Sequence, residues 1–212
     1  MTGRRGIGIA LALLVGLAPG SSPASGEAIQ PGHNAQIGAV VGQHFPWRLA
    51  FPAFFPVIEL RTGYNVIDEI LVRLDVGGGG GAVSHSETET FEGATAMLVN
   101  LEADILYNPR LGESLQLHLG VGIGFCFVAL WGDNLTGTVS GTVQNYVEDT
   151  KAAYAAVAGL SWDLAPEWSL VLETRYTYAP MSPGGFSQDA GGLTVLAGFF
   201  YRLGSWEIDR PK

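Results

Sequence analysis

Between Trp168 and Tyr178 the chain alternates with a period of two, and its charges keep to one side. Trp168, Leu170, Leu172, Thr174, Tyr176 and Tyr178 share one face, while Ser169, Val171, Glu173, Arg175 and Thr177 share the other. Successive side chains of a strand point to opposite faces, so this is a strand with an apolar side and a charged side. The same pattern recurs. Met97, Val99, Leu101, Ala103, Ile105 and Tyr107 oppose Asn100, Glu102 and Asp104, and Ile70, Val72, Leu74 and Val76 oppose Glu69, Arg73 and Asp75. Ile58, Leu60, Thr62 and Tyr64 oppose Glu59 and Arg61. From Leu115 to Trp131 the odd positions are apolar, with Gln116, His118, Gly120, Gly122 and Gly124 between them. Tyr154 to Leu164 and Leu193 to Leu203 alternate likewise, Arg202 falling on the inner side of the last run, and Gln36 to Trp47 is a weaker first one.

These runs predict an all-β fold, an eight-stranded antiparallel up-and-down transmembrane β-barrel with its apolar faces outward. The composition fits. The hydrophobic fraction is 47%, yet beyond the N-terminus no apolar run approaches the roughly 20 residues of a membrane helix. The inward faces then carry Glu59, Arg61, Glu69, Arg73, Asp75, Glu102, Asp104, His118, Glu173, Arg175 and Arg202. Charges in a low-dielectric interior are costly unless paired, so the simplest reading is a salt-bridged, hydrated plug across the lumen. A narrow, gated ion path is the sharper alternative, because eight strands leave little bore once side chains fill it.

The N-terminus is read separately. Arg4 and Arg5 precede an apolar run from Ile7 to Leu17, and Ser22-Pro23-Ala24 or Ala24-Ser25-Gly26 supplies small residues for cleavage. This predicts a signal peptide over residues 1–26, export, a barrel over 27–203 and a short tail over 204–212. The formal charge of -9 argues against a nucleic-acid partner. Cys126, the only cysteine, falls on the inward face as a small buried side chain.

The joins alternate in length. Thr62 to Asp68, Asn108 to Glu113 and Asp163 to Glu167 are tight, whereas Gln43 to Pro52, Gly78 to Ala94, Gly132 to Thr150 and Ala179 to Gly191 are longer. Short periplasmic turns and long outer loops are the outer-membrane arrangement. The aromatic residues agree. With the first strand rising from the periplasm, Tyr64, Tyr107, Trp162, Trp168 and Tyr201 fall near one rim and Trp131, Tyr154, Tyr176 and Tyr178 near the other. Each lies in the apolar register of its strand, as membrane-interface aromatics do.

The run Ala153-Tyr154-Ala155-Ala156-Val157-Ala158-Gly159-Leu160-Ser161-Trp162-Asp163-Leu164, with Pro166-Glu167-Trp168-Ser169-Leu170 and Glu173-Thr174-Arg175-Tyr176, resembles a late hairpin of OmpA/OmpX-like small outer-membrane barrels. Gly120-Val121-Gly122-Ile123-Gly124 is similar to their glycine-rich middle strand. The resemblance implies a bacterial outer-membrane location and a plugged or nearly plugged cylinder serving envelope integrity, adhesion or surface interaction. It further implies contact with outer-membrane lipid and lipopolysaccharide, and an outside partner met through the long loops. Such barrels often end on an aromatic residue. Here Phe199-Phe200-Tyr201 is followed by Arg202 to Lys212, either a periplasmic extension or a longer last strand reaching Trp206.

No catalytic, cofactor or metal motif emerges. Ser84-His85-Ser86 with Glu87 offers a hydrolase relay in name, as in outer-membrane lipid A deacylases, but its residues are adjacent on a polar loop with no reason for hydrogen-bond reach. His33, His44 and His118 stand apart from it. Glu87, Glu89, Glu92, Asp133, Glu148, Asp149 and Asp189 read as solvated loop charges without calcium-loop spacing. Gly77 to Gly81 lacks the Lys-Ser/Thr of a phosphate loop and reads as a flexible strand end. A monomeric structural or interaction barrel is the leading expectation. A small-solute channel and a soluble periplasmic ligand carrier are the alternatives.

Overall fold

A computed structural model describes residues 35–46, 55–82, 94–136, 143–181 and 188–203. The expected signal peptide, the tail and the Ser84-His85-Ser86 segment lie outside the described residues. The long strands are β1 (Ala35–Pro46), β2 (Phe55–Ile67), β3 (Ile70–Ala82), β4 (Thr95–Tyr107), β5 (Leu115–Thr136), β6 (Val143–Asp163) and β7 (Trp168–Tyr178). Two short strands follow, β8 (Pro180–Met181) and β9 (Gln188–Asp189), and then β10 (Gly192–Arg202). Each long strand pairs antiparallel with the next, and β10 pairs with β1 from Gly192↔Pro46 to Arg202↔Gln36. The sheet closes into a barrel in the order β1-β10-β7-β6-β5-β4-β3-β2, while among the described residues β8 and β9 pair only with each other. Closure removes the sheet edges that an open array would expose.

The barrel is apolar outside and polar inside. Ile58, Leu60, Val121, Ile123 and Phe125 are 58–64% exposed on the outer face, whereas Arg61, Arg73, Asp75 and Asp104 are 0–2% exposed inside. That inversion costs stability in water and suits a hydrocarbon surround. Among the described residues no helix is long and apolar enough to cross a membrane.

Several joins differ from expectation. β2 continues to Ile67, past a register shift between Asn65 and Ile67, and leaves only Asp68-Glu69 as the turn. Glu69 therefore sits exposed in that turn and not in the lumen, because alternation stops fixing direction where the chain reverses. Gly77 to Gly81 is strand: its backbone pairs with Asn100 through Ala96 of β4, and pairing needs no side chain. The segment expected as a loop over Gly132 to Thr150 is largely a hairpin extension of β5 and β6. The Ala179 to Gly191 loop contains the β8–β9 ladder, closed by the Ala190 amide donating to the Ala179 carbonyl at 3.0 Å.

Inside, the lumen is layered. Toward the long-loop rim an apolar layer includes Val40, Phe55, Leu98, Val128, Leu196 and Met181. Toward the short-turn rim a smaller one holds Leu71, Leu106 and Val157. On β4 Glu102 and Asp104 lie between Leu98 of the first layer and Leu106 of the second, while Val40, Leu196 and Val157 stand in register with Glu59, Glu173 and Arg175.

Candidate lumen charge network

Three guanidiniums and five carboxyls converge from four strands: Glu59 and Arg61 on β2, Arg73 and Asp75 on β3, Glu102 and Asp104 on β4, and Glu173 and Arg175 on β7. All are inward by the two-residue period of their own strands, so direction is set by register and needs no loop. Arg73 reaches Asp104 and Glu173 at 2.6 Å each and Asp75 at 3.0 Å. Arg61 reaches Glu59 and Glu173 at 2.8 Å each and Asp75 at 3.7 Å. Arg175 pairs directly with Asp75 and approaches Asp104 at 3.3 Å, Glu59 at 3.4 Å, Glu173 at 3.5 Å and Glu102 at 3.6 Å. Every guanidinium thus meets carboxylates from more than one strand, which ties opposite walls together across the lumen.

Room for this layer comes from glycine. A Cβ on Gly122 of β5 would stand 2.1 Å from Oδ1 of Asp104 and 2.5 Å from Oε1 of Glu102, and one on Gly77 would stand 2.3 Å from Cγ of Glu59. The bare faces of β5 and β3 are the space the charged side chains occupy. Some polar atoms, including Nη1 of Arg61, Oδ1 of Asp104 and Nη1 of Arg175, are buried without a hydrogen-bond partner among the described residues.

Three of the expected lumen residues do not join the layer. Glu69 is exposed, as described above. Arg202 lies at the short-turn rim, where it pairs with Asp163 and donates to Oγ of Ser169 at 2.8 Å, because its strand has by then passed the central level. His118 is buried but neutral in its contacts, with Nε2 2.7 Å from Oγ of Ser161 and no partner at Nδ1 among the described residues. A serine and histidine this close form the start of a relay, but among the described residues no carboxylate orients the ring, and the pair is buried inside the barrel.

Sequence reasoning missed Asp163, which looked like a turn residue, and His44. His44 shares the inward register of Val40 on β1, and that alternation was the available signal. Its Nδ1 is 2.8 Å from Oγ1 of Thr194 and its Nε2 3.2 Å from the Ala190 carbonyl, so it pins the chain just beyond β9 against the barrel wall. Glu148 and Asp149 lie on the β6 extension. The hydroxyl of Tyr146 donates to Glu148, and Lys151 lies 3.3 Å from Asp149. The residues Glu87, Glu89 and Glu92, and the side chains of Asp133 and Asp189, fall outside the description.

On the outer face, Tyr64, Tyr107, Trp162 and Trp168 are 45–56% exposed at the short-turn end, and Trp131, Tyr154, Tyr176 and Tyr178 are 39–52% exposed at the other. Tyr201 is half-buried against Trp168, their ring centroids 5.0 Å apart.

A closed antiparallel cylinder with lipid-suited walls and an ion-paired interior defines a small transmembrane β-barrel of the bacterial outer membrane. The chain belongs to the outer membrane protein beta-barrel domain family, whose model matches residues 10–200. No curated protein sequence matches it. Among solved structures it is similar to the outer membrane protein OprG from Pseudomonas aeruginosa, with a TM-score of 0.60 at 12% identity, covering 82% of this chain and 98% of that one. Neisserial surface protein A is similar with a TM-score of 0.57 at 13% identity, covering 80% and 96%. The N-terminal barrel domain of Pseudomonas aeruginosa OprF gives 0.51 at 14% identity, covering 82% and 100%. At these identities the likeness establishes the fold.

Proposed function

We propose that this protein is a closed, non-conducting outer-membrane barrel that supports the envelope and meets a partner outside the cell through its long-loop rim. The observation that carries this reading is the charged layer, whose arginine side chains are 0–1% exposed and each bridged to several carboxylates. A water-filled conducting path would leave part of that layer accessible. The exposed aromatics at the two strand ends serve as interface anchors, which supports a monomer set in lipid with lipopolysaccharide around its outer rim. Residues 1–26 act as the export signal and residues 204–212 as a short periplasmic tail. No reaction is assigned to the His118–Ser161 pair, since its position within the wall gives no route for substrate.

A narrow cation-selective path is the second reading, favoured by the surplus of carboxyls over guanidiniums in the layer. Planar bilayers separate the two. The closed barrel stays silent as wild type and as Glu173→Gln, whereas a pore conducts as wild type with a cation preference that Glu173→Gln reduces.

A further inference from the structure

Beyond β7 the chain turns into the barrel. Ala179, Met181 and Ala190 are 0–1% exposed and share one buried cluster with Val40, Phe55, Leu98, Val128 and Leu196 of the inner face. β8 and β9 therefore lie within the long-loop mouth as a strap, its two arms being residues 179–181 and 188–191. One arm rests against β6, whose Val147 and Ala153 belong to the same cluster, and the other ends at His44 of β1. In the closed sheet β7 and β10 stand between β6 and β1, so the strap spans the inner side of both.

Little holds it there. Its ladder consists of Pro180↔Asp189 and Met181↔Gln188, and Pro180 has no N–H to donate. The Ala190 amide, donating to the Ala179 carbonyl at 3.0 Å, closes its base. β1 and β10, by contrast, pair without interruption from Gln36↔Arg202 to Pro46↔Gly192. Ala179 and Ala190 bury small side chains, so Met181 supplies most of the strap's apolar contact.

Its polar anchor is His44. Nε2 of His44 lies 3.2 Å from the Ala190 carbonyl, and Nδ1 lies 2.8 Å from Oγ1 of Thr194. A carbonyl can only accept, so Nε2 carries the hydrogen and Nδ1 accepts from the Thr194 hydroxyl. His44 and Thr194 face each other across the β1–β10 ladder, and Phe55 meets the imidazole edge-on with centroids 6.1 Å apart. The ring is thus fixed by the wall, and its bond to Ala190 is the one that reaches the strap.

We propose that the β8–β9 strap is a lid on the long-loop mouth, which opens while the barrel stays closed and is released when His44 lets go of the Ala190 carbonyl. Weakly laddered elements open before the strands around them. Shut, the strap covers the apolar residues at the long-loop end of the lumen. Open, it exposes them to the outside, while the ion-paired layer still blocks passage through the barrel. The inference rests on the closed-barrel reading above, to which it adds a movable second barrier.

The chain supplies its own reporter. Cys126, the only cysteine, is 1% exposed within the same cluster. A buried thiol is inert until what covers it moves. The test follows labelling of Cys126 by a small, water-soluble methanethiosulfonate on the full chain folded in micelles, with the mobility shift on boiling as the check that the barrel is intact. The wild type is expected to label slowly. His44→Ala should label about fivefold faster and Met181→Ala at least about tenfold faster, both keeping the mobility shift. His44→Gln, whose amide can still donate to the Ala190 carbonyl, should stay close to the wild type.

Four results overturn the proposal. Wild-type labelling as fast as that of the unfolded chain means that the mouth is not covered. Rates that neither His44→Ala nor Met181→Ala changes, complete inertness included, mean that the strap does not control access. Acceleration that comes with loss of the mobility shift means that the whole barrel loosens. His44→Gln as fast as His44→Ala means that release does not lie at the Ala190 bond. Planar bilayers keep the two readings apart: unchanged rates with a silent barrel remove the lid alone, and a conducting wild type removes the closed barrel.

Discussion

The Glu173 carboxylate on β7 receives both Arg61 of β2, at 2.8 Å, and Arg73 of β3, at 2.6 Å, across the lumen. No strand adjoining β7 in the sheet supplies either arginine, so this contact braces the cylinder from wall to wall. Removing one member of a buried ion pair leaves its partners charged and unpaired, a loss of about 3–5 kcal/mol. Glu173→Ala is expected to lower unfolding stability in detergent by that order. In a double-mutant cycle with Arg73→Ala the losses should fall well short of additive. Additive losses would show that the two side chains do not share one network.

A glycine-to-alanine pair tests whether the bare face of β5 exists to house that network. The Cβ of Gly122→Ala would meet Asp104 and Glu102 oxygens at 2.1 and 2.5 Å, whereas Gly112 in the β4–β5 turn has nothing within 4 Å. Overpacking of this kind costs about 1–3 kcal/mol. Gly122→Ala should therefore unfold at clearly lower denaturant than the wild type, and Gly112→Ala close to it. Equal stability of the two variants would show that the charged layer yields without cost.

Much of this is legible in the amino-acid sequence. Glu59, Arg61, Arg73, Asp75, Glu102, Asp104, Glu173 and Arg175 were readable as one inward set because a period of two fixes direction wherever a strand is unbroken. The reading failed where that rule lapses. Glu69 lies in a turn, and Arg202 keeps its register but sits below the level of the other charges, a height that alternation does not encode. Gly78 to Ala82 reads as part of the following join because strand propensity reports side-chain packing, whereas the partner that makes this segment a strand, Thr95–Val99 of β4, lies across that join. The β5–β6 extension was hidden for the same reason. Its polar residues resemble a loop until the two arms are seen to pair.

Exposed aromatics at both strand ends predict where the barrel meets headgroups. A variant in which Trp47, Trp131, Trp168 and Trp206 are replaced by Phe retains Trp162, which is 56% exposed at the short-turn end of β6. Tryptophan at a membrane interface sits at headgroup level. In bilayers of brominated lipid, Trp162 fluorescence should be quenched more by bromine placed high on the acyl chain than by bromine near the bilayer centre. Stronger quenching from the centre would place this rim inside the hydrocarbon and overturn the assigned span.

The Arg202–Asp163 pair closes a different seam. Arg202 is the last residue of β10, Asp163 the last of β6, and Ser169 of β7 lies between them, accepting from Arg202 at 2.8 Å and donating to Asp163 at 2.9 Å. Backbone bonds reinforce the join: the Arg202 amide donates to the Glu167 carbonyl at 2.7 Å, and the Leu203 amide to the Ala35 carbonyl at 2.9 Å. Unlike the central layer, this cluster is 10–13% exposed at its charged side chains, so solvent can take over part of what a substitution removes. Asp163→Asn should therefore cost only about 1 kcal/mol globally, while amide exchange at Arg202 and Leu203 accelerates and exchange at the Glu173 and Arg175 amides stays at its wild-type rate. Local fraying of this kind follows from the low contact density at a strand end. Acceleration spread evenly over β7 and β10 would mean that the rim and the central layer open as one unit, and that the seam has no independent role.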